Sequence, residues 1–196
     1  LKKGTREHTL VLLLYKGQVV FMDKTLLLVK LDANYCDYLR QYDNKVPYNY
    51  GSKELRPFIG VLFEINNCKY FAPLSSPKTK HLKLKSKIDL LKIANGKLGV
   101  VNFNNMLPVK DNNVIILDLK KENKIKKEEK YIKLLQEQLY WLNRHKTRIY
   151  NMPQKLYNKY INNTLEQKIV KRCCNFPLLE EKCEEYNKKI DTIINH

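Results

Sequence analysis

"FIGVLFEINNCKYFAPL" (Phe58–Leu74) reads as two short apolar runs separated by Asn66-Asn67. Asparagine tolerates positive φ, so the pair can close a tight turn. Each run is strand-length and rich in aromatic and β-branched residues, which predicts a β-hairpin. Runs of the same kind lie on both sides. Residues 9–15 and 18–21 flank Gly17, residues 25–32 (TLLLVKLD) form another run, and residues 112–119 (NNVIILDL) one more. Residues 88–103 predict two strands around Asn95-Gly96, a dipeptide favoured in two-residue hairpin turns. Helical spacing appears at 33–44 and again from the charged run 120–130 to about residue 145, with Ile132, Leu135, Leu139 and Leu142 on one face. Pro153 is expected to open a further helix to about Tyr160, Thr164 to cap one through Cys174, and Asn175-Phe176-Pro177 to start the last. Strands first and helices last predicts an α+β domain on a curved antiparallel sheet, its C-terminal half mainly helical.

The 196 residues suit one compact domain, and 43% apolar content supplies a core. Thirty-seven Lys and Arg against 20 Asp and Glu give a formal charge of +17. Such an excess points to an anionic partner, nucleic acid before membrane. Thirteen tyrosines offer faces on which unpaired bases can stack. The five cysteines (36, 68, 173, 174 and 183) contain no C-x-x-C, which reads as packed thiols in a reducing cytoplasm. The four histidines (8, 81, 145 and 196) lack metal-ligand spacing, so no metal and no cofactor is expected. "LVLLLY" (10–15) follows Lys2, Lys3 and Arg6 but is too short for a signal peptide and is stopped by Lys16. Residues 1–21 read as an extension upstream of a start at Met22, with 22–196 as the domain.

The hairpin runs into "KYFAPLSSPKTKHLKLKSK" (Lys69–Lys87). Hydroxyls and an ammonium at a strand end, here Ser75-Ser76-Pro77-Lys78, can hold phosphate oxygens. A turn with serine as a local cap accounts for the same residues. Lys83, Lys85 and Lys87 would share one face of an extended strand, as phosphate contacts or as a charged edge that resists aggregation. Tyr38 and Tyr42 share a helix face and suit a core, whereas Tyr48 and Tyr50 fall in a polar loop just before Arg56. His8 with His81, or Asp32 and Asp118 as bases, have no supporting pattern. P-loop, dinucleotide and nucleophile-elbow signatures are absent.

The stretch 58–81, preceded by "YDNKVPYNYGSKELRPFIGV" (42–61) and followed by "KLGVVNFNNMLPV" (97–109) and "CCNFPLLEEKCEEY" (173–186), resembles the ToxN/AbiQ endoribonucleases, toxins of type III toxin–antitoxin systems. The resemblance covers about Met22 to Ile190. It implies a strongly twisted antiparallel sheet, a partly open barrel related to the MazF/Kid toxins, with peripheral helices. It implies metal-independent cleavage of cellular or phage mRNA that leaves a 2′,3′-cyclic phosphate and a 5′-hydroxyl. It also implies an antitoxin RNA pseudoknot, both processed by the toxin and inhibitory to it, in closed cyclic toxin–RNA assemblies without a membrane. The catalytic residues it implies are Ser76, with Ser75 beside it, Lys78, Arg56 and, from the loop, Tyr50. RNA-binding residues would be Tyr35, Lys45, Tyr48, Lys80, His81, Lys83, Lys85 and Lys87. A family tyrosine on the long helix falls near Gln136, with Tyr131 and Tyr140 as the nearest substitutes. A non-catalytic RNA-binding module fits the same basic surface.

Overall fold

A computed structural model describes residues 12–15, 18–21, 25–48, 56–119 and 126–194. The expectations for Tyr50, His8, Met22 and the helix start at 120–125 lie outside these residues. β1 (Leu12–Tyr15) and β2 (Gln18–Phe21) pair antiparallel as a separate two-stranded sheet. The main sheet is an open, antiparallel, eight-stranded one. It contains β3 (Leu27–Leu31), β4 (Phe58–Gly60), β5 (Glu64–Ile65), β6 (Cys68–Ser75), β7 (Leu90–Lys92), β8 (Val100–Asn102), β9 (Leu107–Val109) and β10 (Val114–Ile116). Strands run β10-β3-β4-β6-β8-β7, and β5 and β9 also pair with β6. The sheet does not close into a barrel.

The Asn66-Asn67 hairpin forms as expected, with φ of 49° and 60° at the two asparagines and Ile65 opposite Cys68. The second predicted hairpin differs. Lys92 pairs with Val100, so residues 93–99 form the connection instead of a two-residue turn. Ala94, Asn95 and Gly96 all take positive φ there, and Ile93 folds inward beneath them. β9 carries no clear strand signal, because Pro108 interrupts its run; the ladder to β6 forms around it.

Helix α1 (Ala33–Tyr42) starts where the Asp32 carboxylate accepts the Tyr35 N–H at 2.8 Å, and it buries Tyr35, Cys36 and Leu39. α2 (Thr79–Lys83) is short; α3 (Lys126–Arg144) and α4 (Lys146–Ile161) follow with only His145 between them. Pro153 lies inside α4 instead of opening it. An interior proline costs about 3 kcal/mol. The buried Ile149, Tyr150, Leu156 and Tyr157 on the same face outweigh that, at about 1.5–3 kcal/mol each. Thr164 caps no helix: its hydroxyl donates to the Lys159 carbonyl at 3.4 Å, and α5 (Gln167–Val170) begins after Glu166. α6 (Phe176–Ile194) starts where expected, with Asn175 Oδ1 accepting from Leu178 N.

The core centres on Tyr70 of β6. Its ring stacks on Phe63 and meets Tyr157 of α4 and Phe176 of α6 edge-on. Glu180 of α6 accepts the Tyr70 hydroxyl at 2.6 Å and the Tyr157 hydroxyl at 2.8 Å. Burial, and then the Glu180 charge, hold the Tyr70 hydroxyl well above its ordinary pKa, so it remains a donor. Glu180→Ala leaves two buried hydroxyls without an acceptor and is expected to cost about 2–6 kcal/mol, at about 1–3 per orphaned group. The urea midpoint should fall with an unchanged slope.

Candidate active site at the end of the central strand

The ladder sets what stands beside Ser75. Phe58 faces Pro73, and Leu74 N–H donates to Pro57 O at 2.8 Å. Arg56, one residue earlier, is therefore level with Ser75. On the other edge Ser75 pairs with Val100, and Val100 with Lys92. Beyond Ser75 the chain leaves the sheet, and Ser76, Pro77 and Lys78 are exposed before α2 begins. The predicted Arg56, Ser75, Ser76 and Lys78 are thus brought to one strand end.

Two residues fix this end that sequence reading did not single out. Asn102 Nδ2 donates to Ser75 Oγ at 3.0 Å and reaches toward Pro73 O. Gly99, at φ 97°, backs so closely onto the strand that a Cβ there would lie 2.0 Å from Ser75 O and 3.1 Å from the Ser76 carbonyl carbon. Neither carries a motif; only the register of β6 against β8 reveals them. Lys92 holds the following segment by donating to the Leu82 and Leu84 carbonyls, both at 2.9 Å.

Arg56 is half-buried, and among the described residues no carboxylate pairs with it. Burial lowers its pKa, the Tyr131 hydroxyl of α3 opposes that, and the Arg40 charge adds to it. Arginine stays cationic through such shifts. α3 is pinned across this region by Gln138, which donates to Leu98 O at 2.6 Å, and by Asn143, which bonds both backbone groups of Leu26. Arg40 pairs with Asp37, donates to Val46 O and Pro47 O, and lies 4.3 Å from the Tyr48 ring centroid. Tyr48 is therefore held in place yet exposed.

Several predicted RNA contacts fall elsewhere. Tyr35 is fully buried, with its hydroxyl given to Pro108 O and its ring against Tyr186. It belongs to the core and cannot reach an RNA. His81 is also buried, at 3% exposure, on the inner side of α2. Lys45 pairs with Asp43 at 3.4 Å. Lys80, Lys83 and Lys85 are exposed, but Lys83, Lys85 and Lys87 do not form one strand face. Lys83 ends α2, and Lys87 bridges to Leu90. The chain turns here because His81 and Gly96 pack together and Lys92 gathers the carbonyls. Tyr42, expected in the core, is exposed beneath the Lys182 ammonium. Gln136 is exposed and donates to Leu119 O at 3.3 Å. Tyr131 is the residue of α3 whose hydroxyl opposes the lowering of the Arg56 pKa. All five cysteines are free and buried, and burial pushes the Cys36, Cys173 and Cys174 thiols up to about 12.

Residues 27–184 match the family described as Toxin ToxN of type III toxin–antitoxin systems. The chain belongs to the ToxN family. It is 34% identical over 163 residues to the endoribonuclease ToxN of Bacillus thuringiensis subsp. kurstaki, covering 81% of this chain and 83% of that one. It is 33% identical over 177 residues to the endoribonuclease AbiQ of Lactococcus lactis subsp. lactis, covering 84% and 91%. Among solved structures, one comes from a bacterial type III system in which a non-coding RNA pseudoknot selectively inhibits the toxin. It superposes with a TM-score of 0.70 at 32% identity, covering 84% of this chain and 99% of that chain. AbiQ, a lactococcal anti-phage endoribonuclease, superposes equally well at 30% identity and the same coverage. The chain thus shares its fold with these toxins.

Two outcomes follow from this geometry. Gly99→Ala forces the Ser75–Ser76 backbone aside, because the clash is with backbone that cannot rotate away. Cleavage by the variant is expected to fall at least about tenfold, following the sensitivity of rate to sub-ångström misplacement; kinetics on a fluorogenic RNA would show it. His81 titrates in the opposite sense to a stabilising ion pair. Its Nδ1 is buried with no partner among the described residues, and burial, then Lys80 and Lys78, lower its pKa. The folded state therefore holds fewer protons than the unfolded chain below the ordinary histidine value of about 6.5. Stability should be full above that pH and decline as pH falls toward the depressed folded value. Melting temperatures measured from about pH 7.5 to 5.5 should drop less in His81→Leu than in the parent.

Proposed function

We propose that the protein is a sequence-preferring endoribonuclease toxin of a type III toxin–antitoxin system, and that the end of β6 is where RNA is cut. The observation that carries this is Arg56: a half-buried guanidinium with no carboxylate partner among the described residues, level with Ser75 where Ser76–Lys78 leave the sheet. Desolvated cations without an internal counter-ion suit an anionic substrate. The family membership and the names of the relatives support the same reading.

RNA carries its own nucleophile. The 2′-hydroxyl attacks the adjacent phosphorus, the P–O5′ bond breaks, and the products carry a 2′,3′-cyclic phosphate and a 5′-hydroxyl. The protein orients the backbone and stabilises the charge that builds on the non-bridging oxygens. Arg56 and Lys78 supply that charge, and the Ser76 hydroxyl bonds a phosphate oxygen or the 2′-hydroxyl. Ser75 acts differently. Its Oγ is already held by Asn102, so it anchors the strand end beneath Ser76. These steps need no metal. Tyr48, Lys80, Lys83 and Lys85 line the approach as exposed RNA contacts. A repeat RNA pseudoknot, cut from its precursor and retained, would inhibit the toxin in a closed cyclic assembly. The proposed setting is the cytoplasm, with cellular or phage mRNA as substrate.

Incubating the protein with its repeat transcript in EDTA, followed by end-group analysis, tests this. Discrete fragments with cyclic phosphate ends are expected, reduced about 10²-fold or more in Ser76→Ala, the scale seen when one donor to a developing oxyanion is removed. Intact RNA recovered in a stable complex would instead make the protein a binding module.

A further inference from the structure

A second basic site lies away from the strand end. Lys87 and Ile88, Lys155 and Lys159 of α4, and the segment Thr164–Ile169 surround an open cleft of about 430 Å³. Its walls carry Lys87, Lys155, Lys159 and Lys168 against a single carboxylate, Glu166. Ile88, Leu165 and Ile169 supply apolar surface, and Leu165 and Ile169 are buried. Glu166 is bound to Lys168 at 2.7 Å, and the Thr164 hydroxyl is given to Lys159 O. The field inside is positive: Lys168, and further Lys87 and Arg172, hold the Glu166 carboxyl below its usual range. Four ammonium groups from three separate chain segments surround one concavity. Like charges spread over a convex face relax into solvent, whereas charges gathered in a concavity repel until an anion enters.

The sheet relates this cleft to the cutting end. Lys92 is level with Ser75 two strands across, and Lys87 bridges to Leu90 one further strand out. At about 4.8 Å per strand, the offset across the sheet is about 14 Å, with a further two residues' displacement along it. The exposed Lys80, Lys83 and Lys85 lie on the chain that joins the two.

We propose that the cleft between Lys87, α4 and the Thr164–Ile169 segment is a backbone-phosphate subsite that holds RNA beyond the nucleotides being cut. It rests on the endoribonuclease reading above. Its role is to grip long or folded RNA, so it adds affinity without taking part in the reaction.

The test is the Lys155→Glu/Lys159→Glu double variant, assayed with two RNAs. One is a short oligonucleotide that covers only the cleavage site, and the other is the full repeat transcript. The expected result is unchanged cleavage of the oligonucleotide, which also shows that the variant is folded. Its Kd for the repeat transcript should rise at least about tenfold, and the slope of log Kd against log salt should shrink by about 1–2. Unchanged affinity and slope for the transcript, with oligonucleotide cleavage intact, would overturn the subsite. Unchanged RNA binding together with lost ATP binding would make it a free-nucleotide site and overturn the RNA assignment. If cleavage of the oligonucleotide also falls, the cleft belongs to the reacting centre and its separateness is overturned. Should the parent protein neither bind nor cut either RNA, the endoribonuclease reading itself fails, a result distinct from the others.

Discussion

Everything in this fold leans on one strand bonded along both edges. β6 pairs with β5 and β9 over its first half and with β4 and β8 over its second. Its Tyr70 anchors the aromatic core, and its last residue, Ser75, begins the candidate site. Because neighbouring strands fix its register, Asn102 meets Ser75 and Arg56 is level with it, although nothing in the local sequence marks Asn102. A slip of one residue would turn Tyr70 out of the core and break the alignment at Ser75 together. Fold and site are specified by the same hydrogen bonds.

The charge excess is also sorted by the fold. α6 gathers Glu180, Glu181, Glu184 and Glu185, and these are taken up internally. Glu180 serves two tyrosines, Glu184 pairs with Lys110, and Glu185 with Lys182 and Tyr38. Acidity spent on packing leaves the lysines of α2, the 84–87 segment and α4 largely uncompensated among the described residues, whereas Lys168 of α5 is paired with Glu166. A net charge of +17 thus becomes a directional field.

Much of this was legible in the chain. The Asn66-Asn67 hairpin, the helix from residue 33 and the packed thiols follow from local chemistry, and the residues that carry the family resemblance include the serines and the lysine at the strand end. What sequence could not show was burial. Tyr35 and His81 have the residue types of RNA contacts, yet both point inward, because α1 packs on α6 and the short α2 on the 93–96 connection. Alternation made Lys83, Lys85 and Lys87 look like a strand, but Lys92 and Gly96 fold that segment back. Pro153 looked like a helix start because a proline in mid-helix is tolerated only when the flanking face is buried, and this depends on distant partners. Asn102 and Gly99 became visible only once β8 was laid beside β6.

Ser76–Lys78 lie just past the last rung of the ladder, where no neighbouring strand among the described residues shares their backbone. Ser75, Gly99 and Asn102 lie within it or against it. A lineage burdened by the activity proposed here therefore has two routes to silence. Changes inside the ladder would disturb the fold itself. Changes at the three exposed residues would leave a folded, strongly basic chain. That chain would still occupy RNA, so a disarmed allele of the second kind would compete with a working copy for the same nucleic acid and not merely be lost.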